Sequence, residues 1–511
     1  MNETATLVAD WLIVLPVVLA LVGAAALLMV RRANRVPVIG ALLFLLGIIA
    51  CEIGLLIRVV EEGPLSMTMG KWLPPFGISF TVDLFSAAFA LAASVVTLVV
   101  VVCAEAGRDA DDGRDAFHAM VLLLLAGVTG AFLTGDLFNL YVWFEVMLIA
   151  SFGLIVLGGN PLQIDGALKY GFLNFLATTL FLLALGLLYG LLGTLNMADI
   201  MRVAPGANPA ALTGIAALLL LAFGMKAAAF PVNAWLPAAY HTPAPAVSAL
   251  FAGLLTKVGA YALLRSLVML LPASRDLLEP VLALLAVATL VVAPLGAIAE
   301  TNLRRAVGFV VIGGIGAILS GLSLASATGI AGAGIYIFQA ILSMTALYLT
   351  VGLIEARTGA MDTRQMGGLY EASAPLSILF FVLVLAAAGV PPFLGFWPKL
   401  LLLQAGVAGS AEGWVGGVLV VALIVNAILT LIAGTRLWSH IFWRNASDAL
   451  PLARSGRRLR LATSAVGVLV LAIVALGLWP NPLIEGGQRA AADLLAPSRY
   501  LEAVGLAEVE Q

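Results

Sequence analysis

The sequence is poor in charged residues. Only 11% of its 511 residues are Asp, Glu, Lys or Arg, whereas 62% are hydrophobic, and the mean hydropathy is +1.10. A soluble domain has roughly 25% charged and 45–50% apolar residues, so this composition excludes a soluble domain and indicates a membrane protein. The formal net charge of −2 also excludes the basic surface that nucleic-acid binding requires.

Cysteine and recognisable catalytic motifs are equally scarce. Cys51 and Cys103 lie in apolar runs, and their spacing fits neither a disulfide framework nor a metal site. The sequence has no phosphate loop, no cluster of metal ligands and no nucleophile–base pair. We therefore expect no cofactor, no metal and no enzymatic reaction. The chemistry that remains is the movement of protons and cations.

The N-terminus lacks the basic region of a signal peptide. Its apolar run, Leu12 to Val30, is instead followed by Arg31 and Arg32. This order predicts an uncleaved first membrane span.

Long apolar runs make up most of the chain. Because a membrane-spanning helix needs about 20 apolar residues, they predict an all-α polytopic membrane protein with about fourteen spans. These are 7–30, 36–60, 80–106, 117–135, 137–157, 166–193, 209–240, 244–271, 278–299, 304–325, 330–355, 373–405, 413–442 and 461–479. Proline interrupts helices, so Pro231 breaks span seven, and Pro391 and Pro392 break span twelve. The polar tail, 481–511, contains an amphipathic stretch around Gln488 to Leu495.

The two broken spans predict an internal repeat. Each belongs to a set of five spans, residues 117–271 (spans four to eight) and residues 278–442 (spans nine to thirteen). A three-helix segment, 1–106, precedes the repeats, and a C-terminal helix and tail, 461–511, follow them. Units with an odd number of spans insert in opposite orientations, which is the inverted-repeat pattern of secondary transporters.

Basic residues are unevenly divided between the two sets of loops. One set holds Arg31, Arg32, Arg35, Arg108, Arg114, Arg304, Arg305, Arg357, Arg364, Arg454, Arg457, Arg458 and Arg460. The other holds Lys71, Arg202, Arg275, Arg489 and Arg499. The positive-inside rule places the first set in the cytoplasm. With an even number of spans, both termini then lie outside the bacterial cell membrane.

Ionisable residues lie deep within four of the apolar spans: Glu145 in span five, Lys226 in span seven, Lys257 in span eight and Lys399 in span twelve. Such residues are costly in a membrane and are functional by default, so we predict that all four take part in proton translocation. Structural alternatives remain. Glu145 would form a hydrogen bond between helices, Lys226 would cap carbonyls freed at the break, and Lys257 would snorkel towards an interface.

A histidine, His241, occupies the turn between spans seven and eight. Histidine titrates near neutral pH, which makes His241 a candidate for proton entry. A polar turn residue without a transport role is the alternative.

Three stretches resemble one known family. They are TGDLFNLYVWFEVMLIASFGLIVLGG, FPVNAWLPAAYHTPAPAVSALFAGLLTKVGAYALLR and GVPPFLGFWPKLLLLQAG. They are similar to the proton-translocating subunits shared by Mrp-type multisubunit Na⁺/H⁺ antiporters and the membrane arm of respiratory complex I. The resemblance covers most of spans four to thirteen. Lys399, where one complex I subunit has Glu, and Asn233, where complex I relatives often have His, favour the Mrp type.

The sequence departs from the family pattern in span eleven. Family members commonly have a lysine there that links the two halves, whereas Met344 occupies that place in FQAILSMTALYLTVG. Gln339 and Ser343 remain as polar neighbours and as candidate relay residues.

The resemblance implies a subunit of a Na⁺/H⁺ antiporter that works with other hydrophobic subunits in a lipid membrane. H⁺ and Na⁺ are then the transported ions, and no nucleic acid is a partner. A proton-pumping subunit of a quinone-linked dehydrogenase is the alternative. A scaffold whose charges only hold helices together is the third interpretation.

Overall fold

The computed structural model describes residues 8–32, 35–70, 72, 74–106, 116–411, 413–445 and 456–506. Four residues used above to predict the orientation, Lys71, Arg108, Arg114 and Arg454, lie outside the described residues.

Helices dominate the described chain. The N-terminal segment has a 3-10 turn, Val8–Ile13, followed by α1 (Leu15–Met29), α2 (Val36–Glu62) and α3 (Leu84–Ala106). The next helices are α4 (Phe117–Leu133), α5 (Leu137–Val156), α6 (Pro161–Leu192), α7 (Met197–Val203), α8 (Pro209–Ala227) and α9 (Trp235–Tyr240). A continuous helical rod then contains α10 (Pro245–Leu250), a π turn (Phe251–Leu255), α11 (Thr256–Leu263) and a second π turn (Leu264–Leu270).

The second half of the chain is also helical. It comprises α12 (Pro272–Ala299), α13 (Leu303–Leu324), α14 (Ala327–Thr358), α15 (Leu369–Ala372), α16 (Ala374–Ala388), α17 (Phe396–Gly409) and α18 (Trp414–Trp438). The chain ends with α19 (Arg457–Leu478), α20 (Asn481–Leu495) and α21 (Ser498–Val504). Within the described ranges, eleven helices are long and apolar enough to cross a membrane, while α1, α4 and α16 are apolar but shorter. The prediction of a polytopic helical membrane protein is therefore confirmed.

Local side-chain chemistry explains where several helices begin. Asp136 accepts a hydrogen bond from the backbone N–H of Asn139 at the start of α5. Asn196, Asn208 and Asn302 cap α7, α8 and α13 in the same way. Such caps satisfy backbone N–H groups that have no partner within the helix.

Both predicted helix breaks are present. After α8, Ala228 adopts a left-handed conformation with φ of 61°, and the chain passes Pro231 before α9 begins. After α16, Gly389 takes φ of 85°, and the chain passes Pro391 and Pro392 before α17 begins. In each case a left-handed residue ends one half-helix and proline prevents its continuation.

The centre of the molecule is formed by the helical rod 245–270 together with α13 and α14. The rod is entirely buried, whereas only 28% of the most apolar part of α2 is covered by protein. Helix α14 packs against α3, α10, α13, α16, α17, α19 and α20. Peripheral helices thus expose apolar surface to lipid. The ionisable side chains at the centre are shielded from the lipid.

A short β-hairpin departs from the all-α prediction. Strands β1 (Leu65–Thr68) and β2 (Ser79–Val82) pair antiparallel, with Leu65 opposite Val82. Strand β1 lies between predicted spans two and three, whereas β2 overlaps the predicted start of span three at residue 80, so α3 begins only at Leu84. Four-residue strands give too little alternation to be recognised beside long apolar runs.

The predicted amphipathic stretch in the tail is helix α20. Its buried face carries Gly487, Ala490, Ala491 and Leu494. The helix lies against α14 and α3.

Candidate proton-translocation site

Lys226 lies in the last turn of α8, just before the first break, and it is 5% exposed. Its ammonium donates a hydrogen bond to the Thr178 hydroxyl of α6 at 3.0 Å. It also lies 4.7 Å from the centre of the Phe144 ring. The carbonyl of Met225 at the break is bound by the Trp235 indole N–H at 3.0 Å. Lys226 thus binds a hydroxyl on a neighbouring helix. The capping alternative predicts hydrogen bonds to the carbonyls at the break instead.

Glu145 lies on α5 directly after Phe144, and it is half-buried. In the described part of the chain, its carboxylate forms neither a hydrogen bond nor an ion pair with Lys226. Lys226 instead contacts the preceding residue, Phe144. Glu145 therefore follows directly a residue that Lys226 contacts, but the two charged groups are not paired in this conformation.

A small cavity of about 20 Å³ adjoins Lys226. Phe144, Tyr170, Asn174 and Trp235 contribute to its lining. A cavity needs about 10–15 Å³ to hold one water molecule, so the space beside the ammonium is large enough for one.

Lys257 is fully enclosed, with 1% of its surface exposed. Its ammonium donates to the carbonyl of Ala252 at 2.7 Å and to the hydroxyl of Thr256 at 3.1 Å. Ala252 belongs to the π turn that precedes α11, and π turns are frequent at functional sites. The complete burial of Lys257 does not fit the snorkelling alternative.

The helices bearing Lys226 and Lys257 approach closely at Gly259. A Cβ atom at this position would lie 3.0 Å from the backbone N of Ala227 and 3.3 Å from the Cβ of Lys226. Only a glycine allows this approach without movement of the neighbouring helix. The two lysines therefore lie on elements in direct contact.

Lys399 reaches back across the second break. Its ammonium donates to the carbonyls of Ala387 and Ala388 at 3.1 and 2.9 Å. These carbonyls end the half-helix α16, where the helix dipole favours a positive charge. A Cβ at Gly389 would lie 2.6 Å from Cδ of Lys399, so glycine also makes room for the lysine stem.

Helix α14 contacts both lysine-bearing regions. On one side, a Cβ placed on Gly253, in the π turn before Lys257, would clash with the Thr345 hydroxyl. On the other side, the amide nitrogen of Gln339 lies 3.2 Å from the position that a Cβ on Gly395 would occupy, in the second break. The helix thus connects the surroundings of Lys257 and Lys399.

The predicted relay residues lie within this part of α14. The Gln339 side-chain amide donates to the Ser343 hydroxyl at 3.0 Å. The Gln339 side-chain oxygen is buried without a hydrogen-bond partner among the described residues. Met344 is buried, with 3% of its surface exposed.

His241 is half-buried at the end of α9, and its Nδ1 lies 2.9 Å from the carbonyl oxygen of Pro237. Burial lowers the pKa of His241, and the nearby Arg305 and Arg304 charges add to this effect. The hydrogen bond to Pro237 opposes them. A histidine in this turn is therefore held in its neutral form near neutral pH.

Two buried ion pairs were not predicted from the sequence. Arg304 donates to both carboxylate oxygens of Glu355, and it also binds the Pro243 carbonyl beside His241. Arg265 pairs with Asp83 at 2.5 Å. Each pair joins residues far apart in the chain. The available signal was the presence of ionisable residues in apolar helices, but the sequence does not identify their partners.

Comparisons with known proteins identify the family to which this chain is similar. Residues 134–430 match the family model described as NADH:quinone oxidoreductase/Mrp antiporter, TM. The D-type subunit of the Na⁺/H⁺ antiporter of Bacillus subtilis (strain 168) is 34% identical over 497 residues, which are 96% of this chain and 99% of that relative.

Two solved structures contain similar chains. One belongs to the Mrp complex from Dietzia sp. DQ12-45-1b, with a TM-score of 0.89, 29% identity and coverage of 98% of this chain and 100% of that chain. The other belongs to the membrane-bound sulfane sulfur reductase, an archaeal respiratory membrane complex. Its TM-score is 0.87, with 25% identity and coverage of 97% and 99%.

Proposed function

The chain belongs to the family of NADH:quinone oxidoreductase and Mrp antiporter membrane subunits, and we propose that it is the D-type subunit of a multisubunit Na⁺/H⁺ antiporter. In this role it translocates protons, and the proton motive force drives the exchange of cytoplasmic Na⁺ for external H⁺. It is a component of a secondary transporter rather than an enzyme.

One observation carries the proposal. The buried ammonium groups of Lys226, Lys257 and Lys399 are held by hydroxyl or carbonyl oxygens and, within the described residues, by no carboxylate. An ammonium held only by neutral oxygens can release its proton without leaving a buried carboxylate unpaired. Such an arrangement suits proton transfer better than a permanent ion pair.

The proposed path begins at Glu145 and Lys226. In the conformation described, Lys226 binds Thr178. When Lys226 turns to Glu145, the two charges attract each other by roughly 4 kcal/mol at about 4 Å and an effective dielectric near 20. Exchange between these two partners switches Lys226 between holding a proton and donating it to Lys257. The close contact of the two helices at Gly259 supports this order.

The path continues through α14 to Lys399. Because Met344 has no titratable group, transfer between the halves uses Gln339 and Ser343 together with water. The side-chain oxygen of Gln339 supports this role, since it has no hydrogen-bond partner among the described residues and remains available as an acceptor.

The membrane arrangement completes the proposal. Counting each broken helix as one crossing, we propose fourteen crossings, with both termini outside a bacterial cell membrane. Residues 117–271 and 278–442 form inverted repeats, between the segments 1–106 and 461–511. The shared left-handed residue and proline at the two breaks support this repeat. The partners are other hydrophobic subunits and membrane lipid.

A proton-pumping subunit of a redox-linked complex is the second candidate. The similarity to a chain of an archaeal respiratory complex favours it. It is the weaker candidate, because the curated relatives that align over nearly the full chain are named as antiporter subunits.

Reconstitution tests the proposal. The complete complex, purified and placed in proteoliposomes, is expected to exchange Na⁺ for H⁺ in the absence of any electron donor. The chain alone is expected to show no Na⁺-dependent pH change. Robust exchange by the chain alone would remove the multisubunit claim, and a requirement for an electron donor would favour the redox-linked complex.

A further inference from the structure

Glu52 is a buried carboxylate that lies outside the proposed proton path. It occupies the middle of α2, and none of its surface is exposed. Neither of its carboxylate oxygens has a hydrogen-bond partner among the described residues. A buried carboxylate without a partner is costly, so it must be neutralised by a proton or by a cation.

The other buried carboxylates of the described chain all have partners. Each of the four binds a basic side chain or a helix N–H group: Asp83, Asp136, Asp199 and Glu355. Helices α1, α3 and α4, which pack against α2, contain neither Lys nor Arg. The nearest basic residue on α2 itself, Arg58, pairs with Asp10 and Glu62. Among the described buried carboxylates, Glu52 alone is therefore available to a cation from outside the chain.

Two hydroxyl groups near Glu52 are also unsatisfied. A buried Ser or Thr in a helix commonly donates to the carbonyl four residues earlier, as Thr97 of α3 does. Among the enclosed hydroxyl oxygens of the described residues, only those of Ser94, Thr129 and Ser266 have no partner. Ser94 of α3 lies beside the Glu52 carboxyl, although the two groups do not meet the geometry of a hydrogen bond.

The packing of α4 against α3 places Thr129 at the depth of Ser94. At one end of this antiparallel pair, Nε2 of His118 lies 3.1 Å from Oε1 of Glu105, and at the other end strand β2, which precedes α3, pairs with Thr134. Ser94 lies eleven residues before Glu105, and Thr129 lies eleven residues after His118. Eleven residues are about three helical turns, or about 16 Å. Ser94 and Thr129 thus face each other across α3 and α4, and α4 also contacts α2.

We propose that Glu52, Ser94 and Thr129 bind one Na⁺. The carboxylate and the two hydroxyls offer four oxygen atoms, and oxygen ligands suit hard cations. A single carboxylate neutralises a monovalent cation, whereas a divalent cation would leave a net charge in the apolar interior.

This inference rests on the proposed antiporter function, which supplies Na⁺ as the cation. It gives Na⁺ a site away from Lys226, Lys257 and Lys399, whose ammonium groups would repel it.

A permanently protonated Glu52 is the structural alternative. Its O–H would be a buried donor, and leaving a buried donor without an acceptor costs about 1–3 kcal/mol. Within the described chain, neither Ser94 nor Thr129 accepts a hydrogen bond from Glu52. Bound Na⁺ would satisfy the carboxylate and both hydroxyls together, which favours the cation.

Equilibrium binding of radioactive Na⁺ to the purified, assembled complex in alkaline buffer tests the proposal. Glu52→Gln keeps the size of the side chain and removes its charge, so this variant should assemble. It should bind one Na⁺ fewer than the wild type for each copy of this chain. Glu62→Gln is the matched control, because Glu62 lies on the same helix, is exposed and pairs with Arg58. It should bind Na⁺ as the wild type does.

Replacement of a hydroxyl provides an independent arm. Thr129→Val keeps the side-chain volume and removes one oxygen ligand, so the affinity for this Na⁺ should fall at least about tenfold. Ser94→Ala should have a similar effect. Thr97→Val is the matched control, since the Thr97 hydroxyl already donates to the Ala93 carbonyl at 2.7 Å. It should leave the affinity unchanged.

The opposite results are equally defined. Equal Na⁺ binding by Glu52→Gln and the wild type would overturn the proposal and leave Glu52 as a protonated structural residue. Equal affinities of Thr129→Val and Thr97→Val would overturn a site that includes the α4 hydroxyl.

The binding measurements are separate from the test of the antiporter function. If the complex exchanges Na⁺ for H⁺ but Glu52→Gln binds Na⁺ normally, the site is refuted and the function stands. If Glu52→Gln loses one Na⁺ but the wild type needs an electron donor for transport, the antiporter function is refuted and the site stands.

Discussion

Two replacements of Lys399 distinguish between a structural role and a proton-carrying role of this residue at the second helix break. The ammonium donates to two carbonyls that end α16, at 3.1 and 2.9 Å. Lys399→Met keeps a long side chain but removes both hydrogen bonds and the charge. Lys399→Gln keeps two N–H donors on a side chain one bond shorter, and it cannot carry a proton.

The hydrogen bonds set the size of the expected effects. A hydrogen bond to a charged group contributes about 1.5–3 kcal/mol, so Lys399→Met should lower the free energy of unfolding by about 3–6 kcal/mol. A neutral hydrogen bond contributes about 0.5–1.5 kcal/mol, so Lys399→Gln should recover part of this loss. We therefore expect little assembled complex with Met and clearly more with Gln. Neither variant should exchange Na⁺ for H⁺ above background.

The assay has two readouts on the same membranes. Assembled complex is quantified by size-exclusion chromatography after solubilisation, and exchange is measured as Na⁺-dependent collapse of a pH gradient in everted vesicles. If Lys399→Gln restores both assembly and wild-type exchange, Lys399 only caps α16 and the proton path does not pass through it.

The remaining predictions concern the turn, the centre and the second break. Burial lowers the pKa of His241 in the folded protein below its usual value of about 6.5. The folded state is therefore stabilised while His241 is neutral, and this contribution to the free energy of unfolding is lost as pH falls and the histidine is protonated. His241→Gln should therefore leave exchange unchanged above neutral pH and lessen acid inactivation, as a pH–rate profile will show; a loss of exchange at alkaline pH would contradict this. Met344→Lys should alter the rate or the pH optimum of exchange while Met344→Leu does not, and identical profiles would exclude Met344 from the path. Gly389→Ala should reduce assembled complex, because its Cβ would lie 2.6 Å from Cδ of Lys399 at a positive φ, whereas Gly413→Ala, with open space at its Cβ, should not. Equal yields of these two variants would refute the requirement for glycine.

Local sequence signals predicted the helical architecture and the two breaks. Long apolar runs define membrane helices, and Pro231, Pro391 and Pro392 cannot continue a helix, so both features depend on neighbouring residues alone. The positions of Lys226, Lys257 and Lys399 inside apolar runs identified them as candidates for the same reason. The roles of these residues stay predictions.

Long-range partners were not predictable from the sequence. Thr178, which binds Lys226, is 48 residues away, and Glu355 is 51 residues from Arg304. Hydrophobic periodicity reports which face of a helix is buried, but not which residue of another helix it meets. The docking of Lys399 on α16 carbonyls likewise depends on how the chain turns back after the break.

Charge removal at Glu145 tests the central claim most directly. Glu145→Gln preserves the size and hydrogen-bonding capacity of the side chain but removes its charge. Asp165→Asn provides a matched control, because Asp165 pairs with Lys169 at an exposed site on α6. We expect both variants to assemble to near-normal levels in the complete complex, with exchange almost abolished in Glu145→Gln and normal in Asp165→Asn. Exchange at the wild-type rate across the pH range by an assembled Glu145→Gln complex would contradict the account and leave Glu145 with a structural role only.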